Sequence, residues 1–467
     1  MSAREGSLDW LGARLESPAT GAQNEAVVAP TGRFTYAALH AEVESLRARF
    51  THWGLRSGDC VAFAGDYSLT SCARFLATLI SDMVVIPIAA KVPEEARAML
   101  AAAPVDWFFP AAAAVDTPPE RAAGAPTVRT DHPLLAQLRS RGAPGVVIMT
   151  SGSTGRAKVI LHDATKLLAK FRHPRAAYRL IAFLLPDHMG GVNTLFGCLT
   201  SGGTILIPGG RDPETVCEFV AAHRADLLPV TPSFLTLLLA SGAAERHDLS
   251  SLRVVSYGTE VIQPAVLDAA TRRLPGVRFL QLYGSSELGI FRGRSQSDAS
   301  PFVRLAGAEF RVQDGRLWVR GADSMLGYLS GEESGFDAEG WYDTGDLIEP
   351  HPTDPEFVRI LGRASDLINV GGQKVFPAEV EACLAELPGV LDAAVFRESN
   401  ALTGQIVVAR VQLSASALAE MNAGRFRAEM RNALRGRLEG YKIPARVELT
   451  AESLVGGRLK KLRRPGP

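Results

Sequence analysis

Nine consecutive residues, Thr150-Ser151-Gly152-Ser153-Thr154-Gly155-Arg156-Ala157-Lys158, place hydroxyls, glycines and one ammonium group between two apolar runs, 147–149 and 159–161. Glycine lets backbone N–H groups turn toward an anion, and the hydroxyls add further donors. Lys158 supplies a compact positive charge suited to phosphate. The commoner phosphate loop needs G-x-x-x-x-G-K followed by Ser or Thr at the start of a helix. Here Arg156 and Ala157 separate Gly155 from Lys158, no hydroxyl residue follows the lysine, and the exit is the apolar run Val-Ile-Leu. A flexible Ser/Gly turn is the competing reading of this stretch alone.

Other polar groups recur at the ends of apolar runs. They are Asp187-His188-Met189-Gly190-Gly191, Gly258-Thr259-Glu260, and Tyr283-Gly284-Ser285-Ser286-Glu287-Leu288-Gly289. Further on stand Asp343-Thr344-Gly345-Asp346 and Gly362-Arg363. Taken singly, each has an ordinary explanation. Asp346 is turn chemistry in any protein, Arg363 suits an ion pair, and His188 suits a structural histidine. Glu287 read as a plain surface charge is the weakest of these, given the Gly-Ser-Ser run before it.

The elements that must hold these groups follow from periodicity. Residues 35–50 read as an amphipathic helix capped by Thr35, with Leu39, Val43, Leu46 and Phe50 on one stripe. A strand at 61–64, a helix at 69–80 and a strand at 84–88 have the spacing of a parallel βαβ unit. The Ala/Pro-rich stretch 101–126 is less readable, with a strand near 105–109. Beyond the loop, Asp163 caps a helix, 179–186 reads as a strand, and Asp212-Pro213 opens a helix with proline at its first position. Strands at 227–230, 252–257 and 277–282 alternate with helices opening at Thr231-Pro232 and Pro264. In open α/β sheets ligands bind beyond the carboxyl ends of the strands. Residues 187–191, 258–260 and 283–289 are therefore expected to converge on one cleft, with 150–158 reaching into it.

From about 303 the pattern changes to short strands, at 309–312, 316–319 and 327–328, as in a small β-rich subdomain. After 366 it becomes a compact α+β unit. It has a helix at 377–386, strands near 392–396 and 405–412, a helix at about 417–438 and a strand at 447–449. The fold class read from this is α/β: a large N-terminal domain of layered parallel sheets over 1–364, including a β-rich subdomain at about 303–364, and a smaller α+β domain over 365–467.

The 467 residues are too many for one ordinary core. Hydrophobic residues make up 46% and charged residues 21%, an ordinary globular balance. Lys+Arg and Asp+Glu number 50 each, which removes any global electrostatic argument for nucleic acid or an anionic membrane surface. The five cysteines are scattered without C-x-x-C spacing and read as reduced thiols. No N-terminal leader pattern and no run of eighteen apolar residues is seen, so a cytoplasmic location is expected.

Taken together, these segments resemble the adenylate-forming superfamily of acyl-CoA and aryl-CoA synthetases, nonribosomal-peptide adenylation domains and luciferases. The resemblance covers essentially the whole chain. It rests on the order and spacing of 150–158, Tyr283–Glu287, Gly327-Tyr328, Tyr342-Asp-Thr-Gly-Asp346, and Gly362-Arg363-Ala-Ser-Asp366 continuing to Glu379. It implies activation of a carboxylic acid with ATP and Mg²⁺ as acyl-AMP, followed by transfer to coenzyme A or to a carrier-protein phosphopantetheine. By the same resemblance, Thr150, Ser151, Gly152, Ser153, Thr154, Gly155 and Lys158 hold the β- and γ-phosphates. Glu287 holds Mg²⁺. Ser286, where many relatives have Thr, donates to the α-phosphate or the substrate carboxylate. Gly258, Thr259, Glu260, Tyr283, Gly284 and Ser285 frame the nucleotide, Asp346 and Arg363 read the ribose, and His188 gates the acyl pocket.

The chain also departs from the family pattern. Ala157 and Val159 replace a common Pro and Gly, residues 288–326 are short, and Arg458 stands where most relatives carry a catalytic lysine. Arg458 is therefore expected to act in adenylation, while Lys460 and Lys461 are read as solvated charges with little effect. Because the chain carries no carrier domain of its own, any acyl carrier protein is expected to be a separate partner. The scarcity of charge in 187–196 favours an apolar acyl or aryl acid. The competing functions are ATP-dependent activation of a non-carboxylate oxyanion such as nitrite, and an impaired nucleotide-binding homologue.

Overall fold

The computed structural model describes residues 8–16, 21–89, 93–111, 113–121, 132–151, 157–173, 175–297, 300–331, 333–454, 456 and 461. Gly152, Ser153, Thr154, Gly155 and Arg458 lie outside the described residues, as does Lys460.

Two seven-stranded sheets form the large part of the molecule. In the first, the strands Arg278–Gln281, Val254–Tyr257, Leu227–Val230, Arg179–Ile181, Thr204–Leu206 and Glu25–Ala29 lie side by side and parallel. Gly32–Thr35 closes its edge antiparallel to Glu25–Ala29. The second sheet centres on Cys60–Ala64 and Val84–Ile88, parallel as the βαβ spacing requires. Beside Val84–Ile88 runs Gly145–Ser151, which turns back antiparallel as Ala157–Asp163.

Between the sheets lies a layer of helices, Tyr36–Trp53, Leu69–Ile80 and Met189–Leu199. Residues of both sheets (Val27, Ile205, Phe63, Ile148) and of these helices (Leu39, Phe75, Phe196) share one buried cluster. Burial on both sides explains why Leu69–Ile80 and Met189–Leu199 are apolar almost all round rather than striped. Further helices cover the outer face of the first sheet, packing Val216, Leu235 and Leu267 against Val255 and Phe279. The result is a layered α/β architecture. Local chemistry sets the helix ends: Thr35 accepts from the Ala38 N–H, and Ser68 and Ser71 cap each other reciprocally.

The six-stranded antiparallel sheet runs from Arg292–Ser295 to Phe357–Arg363, so its strands begin before the β-rich pattern of the sequence does. The last unit is a five-stranded sheet whose long pair, Val390–Asn400 and Gly404–Leu413, packs on the helices Pro377–Ala385 and Ala423–Leu434.

Several elements differ from the periodicity reading. The strand expected at 179–186 leaves its ladder after Ile181, because Phe183 N–H turns back onto the Ile181 carbonyl at 2.9 Å. The helix expected at 417–438 is two helices, Ala415–Glu420 and Ala423–Leu434. The Asn422 side chain accepts from Arg425 N–H and restarts the second one. The strands Glu25–Ala29 and Thr204–Leu206 are too short to stand out as periodic runs.

One glycine fixes how a central helix docks. A Cβ on Gly191 would lie 1.9 Å from the Leu185 carbonyl oxygen and 2.8 Å from the Tyr67 hydroxyl, which donates to the Gly191 carbonyl at 2.9 Å. Backbone cannot yield as a side chain can. Gly191→Ala is expected to lower stability by about 1–3 kcal/mol or more, the scale of overpacking. Denaturant unfolding checks this, and an unchanged midpoint would refute the close approach.

Candidate active site

The hairpin Gly145–Ser151 and Ala157–Asp163 pairs Thr150 with Lys158 near the end at which its two strands are joined in sequence. Strand alternation puts Lys158, Ile160 and His162 on one face. The strand Gly327–Tyr328 pairs alongside, Tyr328 opposite Ile160. As a result the Lys158 ammonium sits 4.9 Å from the centroid of the Tyr328 ring, a cation–π contact. The Tyr328 hydroxyl donates to Glu287 Oε1 at 3.2 Å and lies 3.2 Å from the Tyr342 hydroxyl. Burial and the Glu287 charge push both phenols upward, Tyr342 to about 12, so both stay protonated donors.

Glu287 is held by a tight turn. The Ser285 hydroxyl accepts from Glu287 N–H and Leu288 N–H, both at 3.2 Å, and Glu287 O accepts from Met325 N–H at 2.7 Å. Gly284 is required at the start of this turn, because a Cβ there would meet the Gly289 carbonyl oxygen at 2.3 Å. His162, fully buried, reaches the Ser286 carbonyl through Nε2 at 2.7 Å. A carbonyl only accepts, so Nε2 carries the proton. Burial holds this imidazole below its ordinary value and therefore neutral.

Asp346 and Arg363 are cross-strand partners in the six-stranded sheet. Arg363 Nε lies 2.8 Å from Asp346 Oδ1, and Arg363 Nη1 donates to Thr344 O at 3.0 Å. Tyr283 donates its hydroxyl to Asp346 Oδ2 at 2.6 Å. Burial pushes the Asp346 carboxyl up, while the Arg363 charge and the Tyr283 bond pull it back. This is more than the local turn that Asp-Thr-Gly-Asp alone would explain. A buried carboxylate with one cation and one hydroxyl donor keeps spare lone pairs for further hydroxyls.

At the carboxyl ends of the parallel strands, a Cβ on Gly258 would lie 2.6 Å from the Leu282 carbonyl oxygen, so 258 and 282 are in contact. Thr259 has φ +72°, a left-handed conformation rare for a β-branched residue and of the kind that clusters at functional sites. Gly190, Gly258, Thr259 and Gly284 all line a cavity of ≈ 210 Å³ that continues beneath them between Leu184, Leu280 and Ile290. Of the segments expected to converge, Gly190, Gly258, Thr259 and Gly284 meet at this cavity, and Lys158 is linked to Glu287, three residues beyond Gly284, through Tyr328.

These features agree with comparison to known proteins. A family model described as AMP-binding enzyme matches residues 16–329, and the model of its C-terminal domain matches residues 379–456. The chain belongs to the AMP-binding enzyme family, within the adenylate-forming superfamily. It is similar to the phenyloxazoline synthase MbtB of Mycobacterium sp. (strain MCS), at 28% identity over 93% of this chain and 40% of that protein. The chain thus spans well under half of that relative's length. It is also similar to FadD10 of Mycobacterium tuberculosis (strain CDC 1551 / Oshkosh), a medium/long-chain-fatty-acid–[acyl-carrier-protein] ligase, at 27% identity over 85% of each chain. The fold matches the crystal structure of ATP-bound MatB from Rhodopseudomonas palustris with a TM-score of 0.76, 22% identity and 95% coverage of each chain.

Other expected site residues of this AMP-binding enzyme are placed differently. His188 is the N-terminal cap residue of Met189–Leu199, with Nε2 3.9 Å from Asp187 Oδ1, and it is absent from the cavity lining. The carboxylate of Glu260 is engaged by the protein itself. It accepts from Ser233 N–H at 3.1 Å, from the Ser233 hydroxyl at 2.6 Å and from Lys461 N–H at 2.8 Å. An adenine contact from residue 260 would fall to its backbone. Lys461 is the larger surprise, because it is not a solvated charge. Its ammonium lies 2.8 Å from Asp392 Oδ1 and 3.7 Å from Glu381 Oε2, two carboxylates that are themselves buried.

Tyr328, Tyr342, His162 and Lys461 had no assigned role in the sequence reading. Alternation along 158–162 is the signal that places His162 on the face of Lys158. A Lys in a basic tail carries no such signal.

Two outcomes follow from this geometry. Asp346→Ala is expected to weaken ATP binding by about 1.5–3 kcal/mol, the scale of hydrogen bonds to a charged group, and to abolish discrimination between ATP and dATP. Titration calorimetry with both nucleotides measures this, and equal binding of the two by the unaltered protein would remove Asp346 from ribose recognition. Lys461→Ala is expected to destabilise the protein by about 3–5 kcal/mol, because it leaves buried carboxylates uncompensated. A silent substitution in thermal unfolding would mean that the pairing carries no weight.

Proposed function

We propose that this AMP-binding enzyme activates a carboxylic acid with ATP and passes the acyl group to a thiol. In the first step a carboxylate oxygen attacks the α-phosphorus, an acyl-AMP forms and pyrophosphate leaves. In the second, the thiol sulfur attacks the acyl carbon, AMP leaves with the bonding pair, and the thiol proton passes to solvent. The observation that carries this reading is the assembly of two polar clusters, Lys158–Tyr328–Glu287 and Tyr283–Asp346–Arg363, joined through the 283–287 segment. A mostly apolar cavity opens beneath that segment at Gly284.

In this reading Lys158 and the loop from Thr150 to Gly155 meet the β- and γ-phosphates. Tyr283 and the backbone at 258–260 flank the adenine, and Asp346 accepts from the ribose hydroxyls while Arg363 orients it. Ser286 donates to the α-phosphate or the acid. His188, two residues before the cavity-lining Gly190, gates the acyl pocket, and Arg458 offsets charge developing at the α-phosphate. Glu287 fits a hard divalent cation: it offers an anionic oxygen beside the phosphate-facing lysine, and Mg²⁺ favours one or two carboxylates plus substrate phosphates over an all-protein cage. Mg²⁺ bound there would neutralise phosphate charge.

The acceptor is coenzyme A or the phosphopantetheine of a carrier protein, the second supported by the likeness to an acyl-carrier-protein ligase. Residues 364–366 form a single 3₁₀ turn between the strands ending at Arg363 and beginning at Ile368, and we take this turn as the junction of the two domains. We place the pivot between half-reactions there. No described helix is long and apolar enough to cross a membrane.

Purified protein is expected to release AMP and pyrophosphate from ATP only with Mg²⁺ and an acid, assayed over a panel of acyl and aryl acids. Glu287→Gln should lower that rate by about a hundredfold or more, the scale of losing one electrostatic stabiliser. Turnover with nitrite and an aryl amine, and with no acid, would instead support oxyanion activation. Near-normal turnover of Glu287→Gln would remove Glu287 from the metal role.

A further inference from the structure

The cavity beneath Gly258 and Gly284 runs the length of the sheet. Its sheet wall follows strand alternation: Gly258 and Leu282 at the nucleotide end, Ser256 and Leu280 next, and Val254 and Arg278 at the far end. Its other wall is one face of Met189–Leu199, where Gly190, Asn193, Thr194 and Gly197 recur at helical spacing. Seven residues of helix span about 10 Å, and four residues of strand about 13 Å. The two walls agree on a slot of roughly that length, with Ser256, Asn193 and Thr194 as neutral polar groups among mostly apolar neighbours and no charged lining residue in its middle.

Its far end is not apolar. Arg278 and Arg175 line the cavity there and are both exposed, so the slot reaches the surface between guanidinium groups. Tyr178 forms part of the same end, and Arg253 lies over its ring at 5.9 Å. No described carboxylate lies within 4.0 Å of the Arg278 guanidinium, whereas Arg33 and Arg179 nearby are already matched by Glu25 at 2.6 and 3.0 Å. Arg253 itself lies outside the slot, on the side of Asp226, so in a chain of zero net charge it is Arg278 and Arg175 that place positive charge at the end of the slot.

We propose that the acid activated at the nucleotide end carries a second anionic group, a carboxylate or similar oxyanion, at its far end, read by Arg278 with Arg175. This rests on the acid-activating reading above and names its substrate class. A planar guanidinium matches a carboxylate with paired donors. The middle of the slot offers no charged partner to an anion placed closer in, so the slot measures the distance between the two acidic groups.

The test uses a length series of straight-chain α,ω-dicarboxylic acids with the matched monocarboxylic acids, and aryl acids with and without a carboxylate-bearing para arm. Pyrophosphate release gives kcat/KM, and calorimetry gives binding. At one length the diacid should be preferred over its monoacid, and Arg278→Gln should shrink that ratio by about fivefold, the upper range for an exposed ion pair. The ratio should also fall in high salt. Preference for monoacids at every length, or a ratio unmoved by both Arg278→Gln and Arg175→Gln, overturns the proposal while leaving acid activation standing. If no acid supports pyrophosphate release, calorimetry decides. Tighter diacid binding that weakens in Arg278→Gln sustains the far-end site while the adenylation reading falls, and equal binding of diacid and monoacid overturns the site too.

Discussion

The hydroxyl of Tyr328 lies between the carboxylate of Glu287 and the hydroxyl of Tyr342, and that of Tyr283 is bonded to Asp346. These residues come from two sheets and from the segment that follows a third. Tyr328 extends the second seven-stranded sheet, Tyr342 and Asp346 belong to the six-stranded one, and Tyr283 and Glu287 follow the last strand of the first. Polar groups this deeply placed are costly unless bonded. Satisfying them therefore holds the sheets in register, and the surfaces that meet there form the cleft. The same bonds that join the sheets orient the groups suited to a nucleotide.

That arrangement separates two tasks along one slot. Charge, hydroxyls and close backbone approaches concentrate where the parallel strands end, with Gly258, Gly284 and the left-handed Thr259 letting main chain crowd together. Away from that end, the walls are side chains of strands and of one buried helix, and they can vary without disturbing the nucleotide groups. Glycine at 190 and 197 keeps the helix wall low. On the acid-activating reading proposed above, selectivity for the acid falls to the residues that line the slot, down to the arginines at its far end.

The small C-terminal unit touches this frame through Lys461 and Glu260. One carboxylate, Glu260, takes first-turn donors of the helix Pro232–Ser241 and the Lys461 N–H, while the Lys461 ammonium is tied to Asp392 and Glu381. Burial of this ammonium is offset by the two carboxylates, which hold its pKa above the ordinary value. The tail is therefore anchored to the large unit at Lys461.

What the sequence determined by itself was set by local physics. Strand and helix periods marked the parallel layers, and glycine-hydroxyl clusters marked their carboxyl ends. The ordered segments from Thr150 to Glu379 carried the family resemblance, and among the residues they named, Lys158 and Glu287 share one polar cluster and Asp346 and Arg363 another. What only the tertiary structure decided depends on partners distant in the chain. Glu260 looked like a cleft residue because it follows Gly258-Thr259, yet its carboxylate serves a helix cap and the lysine tail. Lys461 looked like one of several solvated charges until two buried carboxylates, far back in sequence, enclosed it. Arg175 and Arg278 carried no signal at all, because a lone arginine in sequence is silent about which cavity it ends. Periodicity reports the face on which a side chain sits, and only packing reports what that face meets.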